Sequence, residues 1–403
     1  SHGMQYGKES LAHDPQYETA HLERMKRMVQ RDFNHPSIVF WSMGNEAGDG
    51  VNFTKGYALI KSIDTSRPVQ YERAEGGPNT DIACPMYFDY EQCEKYASRD
   101  PHPRKPLIQC EYAHAMGNSM GGLKEYWDLI RKYPHYQGGF IWDFVDQGLW
   151  WPSDATRTGT DHVIVFGGDF NDYDPSDNSF CCNGIIAADR TLHPQAYEVA
   201  YQHRSIHTSA SDLLNGKVNV YNENFFIDLS RYMMSWDIEA DGVKVLSGVV
   251  NLPAIAPQAT AEVALGYGPD DLKAAVGEVS DKDLYLNVRY SLRRADGILP
   301  AGSQVAYDQL CINEKALSLF ANNSGLPEYI DEGTHQVFRG KVKFDGAGID
   351  RETDWKAVFD LRKGGLELYE LGGKQLMESA LVPCFARACT ENDCGAGHQK
   401  RAA

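Results

Sequence analysis

Apolar positions in the first two hundred residues fall into short runs set between helical patterns. From about Gln16 to Phe33, Leu22, Met25, Met28 and Val29 recur at a helical period. Ile38 to Met43 follows as a short continuous apolar run and reads as a buried strand. The spacing predicts a second helix from about Asn52 to Ile63, then a strand from Val69 to Glu72. Further runs cover Ile82 to Tyr87, Leu107 to Tyr112 and Gly138 to Asp143, with a helix from about Met120 to Lys132 before the last. Five strands of this kind, separated by helices or long loops, argue for parallel pairing and a βα architecture. Several end on a polar or charged residue: Glu46, Glu72, Tyr87, Glu111 and Asp143. In a (β/α)8 barrel that edge carries the active site. Five strands cannot close such a barrel. Either the sheet is open, or the first three barrel strands are missing.

After about His203 the period changes to two. Lys217 to Tyr221, Phe225 to Leu229, Met233 to Ile238 and Leu284 to Leu292 read as alternating strands, and Asp241-Gly242 is a hairpin signal. A small β-sandwich is expected over 204–313. A third β-rich segment, 314–403, includes Val337 to Phe344 and Trp355 to Leu361, and ends before it could close a sheet of its own. The expected fold class is therefore multi-domain, α/β followed by all-β, with the α/β part over 1–203.

Composition narrows the function. The 403 residues suit two or three domains, and 42% hydrophobic with 24% charged residues is globular. A net charge of -17 argues against nucleic acid as the partner. No apolar run approaches the ~18–20 residues needed to span a bilayer, so no membrane is expected. The opening SHGMQYGKES has no apolar core of a signal peptide. Nine cysteines are scattered without a C-x-x-C pair, so free thiols are expected. Cys389, Cys394 and His398 lie close together near the C-terminus, but their spacing fits no standard zinc pattern.

Glu46 and Glu111 would face each other across a barrel mouth, as glycoside hydrolysis requires. One protonates the departing oxygen and the other attacks the anomeric carbon. Asn45 can bond a sugar hydroxyl, Tyr87 can donate to the nucleophile, and Trp142 offers a flat face to a sugar ring.

SMGNEAGDG and QCEYAHAMGNS resemble the two catalytic segments of the bacterial β-galactosidases (lactases) of glycoside hydrolase family 2. SRPVQYE, DIACPMY, YPHYQGGFIWDFVDQGL and FGGDFNDYDPSDNSFCCNGI follow the same family. The resemblance implies a retaining β-galactosidase, with Glu46 as acid/base and Glu111 as nucleophile. It implies that Asn45, Tyr87, His114 and Trp142 contact the galactosyl group or the nucleophile. It implies magnesium held by His2 and Glu46, and sodium held by the Phe180 carbonyl and Asn183. It further implies a partial TIM barrel of the last five strands, then an immunoglobulin-like sandwich, then the start of a larger β-sandwich domain. The family's N-terminal domains and first three barrel strands are absent, and some ligands of both metals with them. The expected partners are a β-galactoside and either further copies of the chain or the missing N-terminal segment. A bacterial cytoplasm or periplasm would both suit. A non-catalytic galactoside-binding or assembly protein on the same scaffold and a family 2 β-glucuronidase or β-mannosidase are the competing readings.

Overall fold

The computed structural model describes residues 4–99, 101, 103–152, 161–315, 327–344, 351–384, 389–390, 393 and 396–397. The first helical pattern becomes α1 (Glu18–Asp32), entered through a short turn in which the Asp14 carboxylate accepts the Gln16 N–H at 2.9 Å. It packs Met25 and Val29 with Phe53 and Ile60 of α2 (Val51–Ile63). Between them lies β1 (Trp41–Ser42), parallel to β2 (Val69–Gln70). The apolar run from Ile38 thus contributes only two residues to the ladder. Trp41 N–H reaches the Pro68 carbonyl, but Pro68 has no N–H with which to carry the pairing further back.

Next come α3 (Tyr90–Ala97), opened by an Asp89–Gln92 capping box, then β3 (Leu107–Tyr112), α4 (Leu123–Lys132) and β4 (Tyr136–Ile141). β3 and β4 are parallel. The expected strand over 82–87 is reduced to two parallel bridges, Ala83 to Leu107 and Met86 to Glu111. Pro85 explains the gap. Ala83 and Tyr87 donate to the Pro106 and Glu111 carbonyls, and the N–H midway between them is the one proline lacks. The rising series continues past β4, where Trp142 N–H donates to Tyr112 and Asp143 N–H to Asn183. Within each group the paired segments run in one direction, so their C-terminal ends share an edge. Among the described residues no sheet closes on itself.

A two-stranded antiparallel ribbon follows, β5 (Leu149–Pro152) with β6 (His162–Val165). Then come β7 (Ile206–Asp212), β8 (Lys217–Asn222), β9 (Tyr232–Ala240), β10 (Val243–Asn251), β11 (Thr260–Ala264), β12 (Leu284–Leu292) and β13 (Gln304–Asn313). They form two sheets, β11-β8-β7 and β10-β9-β12-β13. One core joins them: Val218 and Val220 from the first meet Met234, Ile238, Leu286 and Val288 from the second. The period-2 pattern works because alternate residues of β8, β9 and β12 point into that core. The expected strand over 225–229 does not form, and Phe226 is 95% exposed. Asn222 turns the chain there. Its side chain donates to the Ile227 and Ile255 carbonyls and accepts from Asn224 N–H, so the segment loops back.

The third segment does build a sheet, contrary to expectation. β14 (Glu328–Asp331), β15 (His335–Phe344), β16 (Arg351–Asp360), β17 (Gly365–Leu371) and β18 (Lys374–Gln375) pair in sequence order, all antiparallel. Local hairpins suffice for this, without distant strands. Among the described residues every cysteine is a free thiol. Cys394 and His398 lie outside the described residues.

Candidate active site

The C-terminal ends of the parallel segments open into a cleft of about 990 Å³. Glu46, Glu111, Asn45, Tyr87, His114 and Trp142 all line it. Six separate sequence positions, spread over almost a hundred residues, thus meet around one cleft. Phe180 and Asn183 join them from a later loop. His2 lies outside the described residues.

Each position follows from its local backbone. The apolar run from Ile38 ends at Gly44, and Glu46 then adopts a left-handed conformation (φ 50°) that turns the chain across the strand end. Tyr87 does the same at φ 51° where its own segment ends. The Tyr87 hydroxyl donates to Glu111 Oε2 at 2.8 Å. Burial, and then the adjoining Glu111 carboxylate, push the Tyr87 hydroxyl pKa well above its ordinary value, so it remains a donor. The Tyr87 and His114 rings meet edge to face at 6.0 Å, and His114 lies 6.2 Å from the Phe180 ring. Burial lowers the His114 pKa and favours the neutral ring, against a smaller opposing effect of the neighbouring Asn183 side chain.

A third carboxylate stands beside the first. Glu72 is buried behind the cleft and accepts the Glu46 backbone N–H at Oε1, at 2.6 Å. Its other oxygen pairs with Arg73 Nε at 2.8 Å, and Arg73 Nη2 lies 3.8 Å from Glu46 Oε1. Burial raises the Glu72 pKa, the bond from Glu46 N–H and the charge of Arg73 work against that, and the charges of Glu46 and Glu111 add to it. Sequence reading placed Glu72 at a strand end but missed its contact with Glu46. Gln147 also lines the cleft and was missed; its amide donates to Asp143 Oδ2 at 2.8 Å. Its signal was present in the sequence, since it lies five residues beyond Trp142.

The donors available to a cation divide unevenly. Asn183 Oδ1 is a buried oxygen without a hydrogen bond, three residues from the Phe180 carbonyl, which now accepts Asn183 Nδ2 at 2.6 Å. A hard cation suits such oxygens. Of the two residues expected to hold magnesium, only Glu46 is described, and Arg73 already shares its charge.

Paired carboxylates in an open cleft, at the C-terminal edge of parallel strands, are the equipment of acid/base chemistry on a small polar substrate. Residues 2–208 match the family model for the glycosyl hydrolases family 2 TIM barrel domain, and 218–313 match that for β-galactosidase domain 4. The chain belongs to glycosyl hydrolase family 2, with its TIM barrel domain region followed by β-rich domains. It is 36% identical to a β-galactosidase of Vibrio vulnificus (strain CMCP6) over 412 residues, covering 98% of this chain and 37% of that protein. Identity is also 36% to β-galactosidase 2 of Enterobacter cloacae, covering 100% of this chain and 38% of that one. The chain thus spans little more than a third of the length of the curated relatives it matches. A crystal structure of Parabacteroides merdae β-glucuronidase aligns with a TM-score of 0.35 at 11% identity, over 80% of this chain and 42% of that one. That similarity is too loose to bear on function.

Proposed function

We propose that the chain is the catalytic portion of a retaining β-galactosidase that releases terminal β-D-galactosyl groups by double displacement. The observation that carries this reading is the shared cleft of Glu46 and Glu111, with the Tyr87 hydroxyl on Glu111. Glu111, ionised, attacks the anomeric carbon while Glu46 gives its proton to the departing oxygen. Water then cleaves the glycosyl-enzyme, with Glu46 taking the water's proton. The Tyr87 hydroxyl orients Glu111. Asn45, His114 and Trp142 bind the galactosyl ring, Trp142 through its face.

The fold reading completes this proposal. Residues 1–203 form the last five strands of a (β/α)8 barrel, 204–313 an immunoglobulin-like sandwich, and 314–403 the start of a larger β-sandwich domain. Asn183 and the Phe180 carbonyl would hold sodium, supported by the unpaired Asn183 oxygen. Glu46, with His2, would hold magnesium, whose charge would steady the carboxylates around it. The partner is the N-terminal segment that carries the first three strands, or further copies of the chain.

The test is hydrolysis of a chromogenic aryl β-galactoside by the chain, with magnesium and sodium, alone and mixed with an N-terminal segment of a relative. Glu111→Gln is the control. Turnover is expected to be weak alone, to rise on mixing, and to fall about 10³-fold or more in the variant. Galactoside binding without turnover in the folded, complemented protein would favour a binding role instead. Preference for an aryl β-glucuronide or β-mannoside would move the substrate assignment.

A further inference from the structure

The loop that carries Glu46 is held from one neighbouring segment by three successive bonds. Glu72 Oε1 accepts the Glu46 N–H at 2.6 Å. The Tyr71 hydroxyl donates to the Gly48 carbonyl. Asn79 Nδ2 donates to Asp49 Oδ1 at 2.8 Å. Tyr71 is itself fixed by a parallel stack on Phe53, with ring centroids 4.1 Å apart. Two of these pins are neutral side chains near the far end of the loop. The one at Glu46 is a buried carboxylate, side chain 4% exposed, kept in place by Arg73.

Burying a carboxylate among two others is costly, and a neutral acceptor would satisfy an ordinary loop N–H. Charge adds strength and direction to a hydrogen bond with a backbone N–H. Here that bond falls on the one residue of the loop whose side chain must reach a leaving group. Glu46 also sits at φ 50°, in the left-handed region that a glutamate seldom adopts. Such a conformation persists only when its surroundings over-determine it. The Arg73 guanidinium spans both carboxylates, so it offsets their repulsion while fixing their spacing.

We propose that Glu72, held by Arg73, is a positioning residue for Glu46: its carboxylate grips the Glu46 backbone N–H and keeps that side chain aimed into the cleft. The inference rests on the hydrolase reading only for the task it gives to Glu46. The grip itself is a property of this chain, with or without turnover.

The experiment compares the 403-residue chain with its Glu72→Leu and Glu72→Gln variants. Hydrogen exchange is followed at the Glu46 amide, with the amides of β3 and β12 as references. Glu72→Leu is expected to speed exchange at Glu46 about tenfold or more while the references hold. Glu72→Gln, which keeps an acceptor but not its charge, is expected to exchange at a rate between the leucine variant and the unaltered chain. Unchanged exchange at Glu46 in the leucine variant would overturn the proposal. So would equal acceleration at β3, which would mean general loosening. If the leucine chain does not fold, Glu72→Ser, too short to reach the Glu46 amide, is read in its place by the same criteria.

Turnover by the same proteins, with the N-terminal segment added, separates positioning from mere stability. A misplaced acid should lower turnover of a galactoside with a poor leaving group about 10²-fold and spare a dinitrophenyl galactoside, which needs little proton donation. Equal losses on both substrates would count against the proposal. An unaltered chain without turnover bears on the hydrolase reading alone, and the exchange result still decides the positioning one.

Discussion

At the scale of single residues, the site depends on side chains whose backbone is strained. Tyr87 pairs with Glu111 from a left-handed conformation, and its high pKa keeps the hydroxyl as donor across the working pH range. Removing that donor should cost turnover without costing the fold. If Glu111 is the nucleophile proposed above, Tyr87→Phe is expected to lower kcat of the complemented protein about 10²–10³-fold, the scale of losing one donor to a reacting oxygen, with an unchanged melting temperature. Steady-state kinetics beside a thermal melt would check this; a drop in melting temperature matching the loss of activity would refute it. Glu111 and Tyr87 were legible in sequence because each ends an apolar run. The role of Glu72 was not. Its oxygen meets a backbone N–H that lies 26 positions earlier in the chain, and no side-chain pattern records a backbone partner.

At the scale of elements, turn chemistry and proline decided where periodicity held. The β9–β10 hairpin forms at Asp241-Gly242 with φ of 48° and 78°, the positive values such a turn needs. Nothing lies within 4 Å of a Cβ placed on Gly242, so a side chain there meets only backbone strain. Gly242→Ala is expected to destabilise the chain by about 1 kcal/mol, read as a shift in urea midpoint at constant slope. Elsewhere periodicity misled. Pro68 and Pro85 thinned strands that the apolar runs predicted in full, because ladder pairing counts N–H groups and not hydrophobicity. Phe225 to Leu229 alternates correctly, yet Asn222 bends the chain away before a neighbour can pair with it.

For the molecule as a whole, the α/β region and the two-sheet region are joined by charge. Arg131 of α4 makes two bonds to Glu223, at 2.7 and 3.1 Å, and His207 of β7 lies 2.8 Å from the same carboxylate. Burial alone would raise the Glu223 pKa, but the bonds from His207 and Arg131 outweigh it and hold the group at about 2, against 4.5 when free. A depressed folded pKa stabilises above the unfolded value and is lost as pH falls through the folded one. The Glu223 contribution should therefore be complete above about pH 4.5 and fade towards pH 2. Urea midpoints measured across that window should fall for the unaltered chain and fall less steeply for Glu223→Gln. Parallel slopes would mean that Glu223 does not couple the two regions.

The amino-acid sequence determined the class of chemistry and the order of elements. Strand-end carboxylates, the Asn45-Glu46 pair, the change from helical to alternating period near His203 and the Asp241-Gly242 turn are all local features, readable one window at a time. Tertiary structure decided what meets what. Parallel pairing set Tyr87, Glu111 and Trp142 side by side, packing brought Glu46 to the same cleft, and the later loop added Phe180 and Asn183. It placed Glu72 under Glu46 and Glu223 between Arg131 and His207. Those contacts join residues 16 to 92 positions apart in the chain. Each depends on the distance and direction between atoms, which only the packed chain defines.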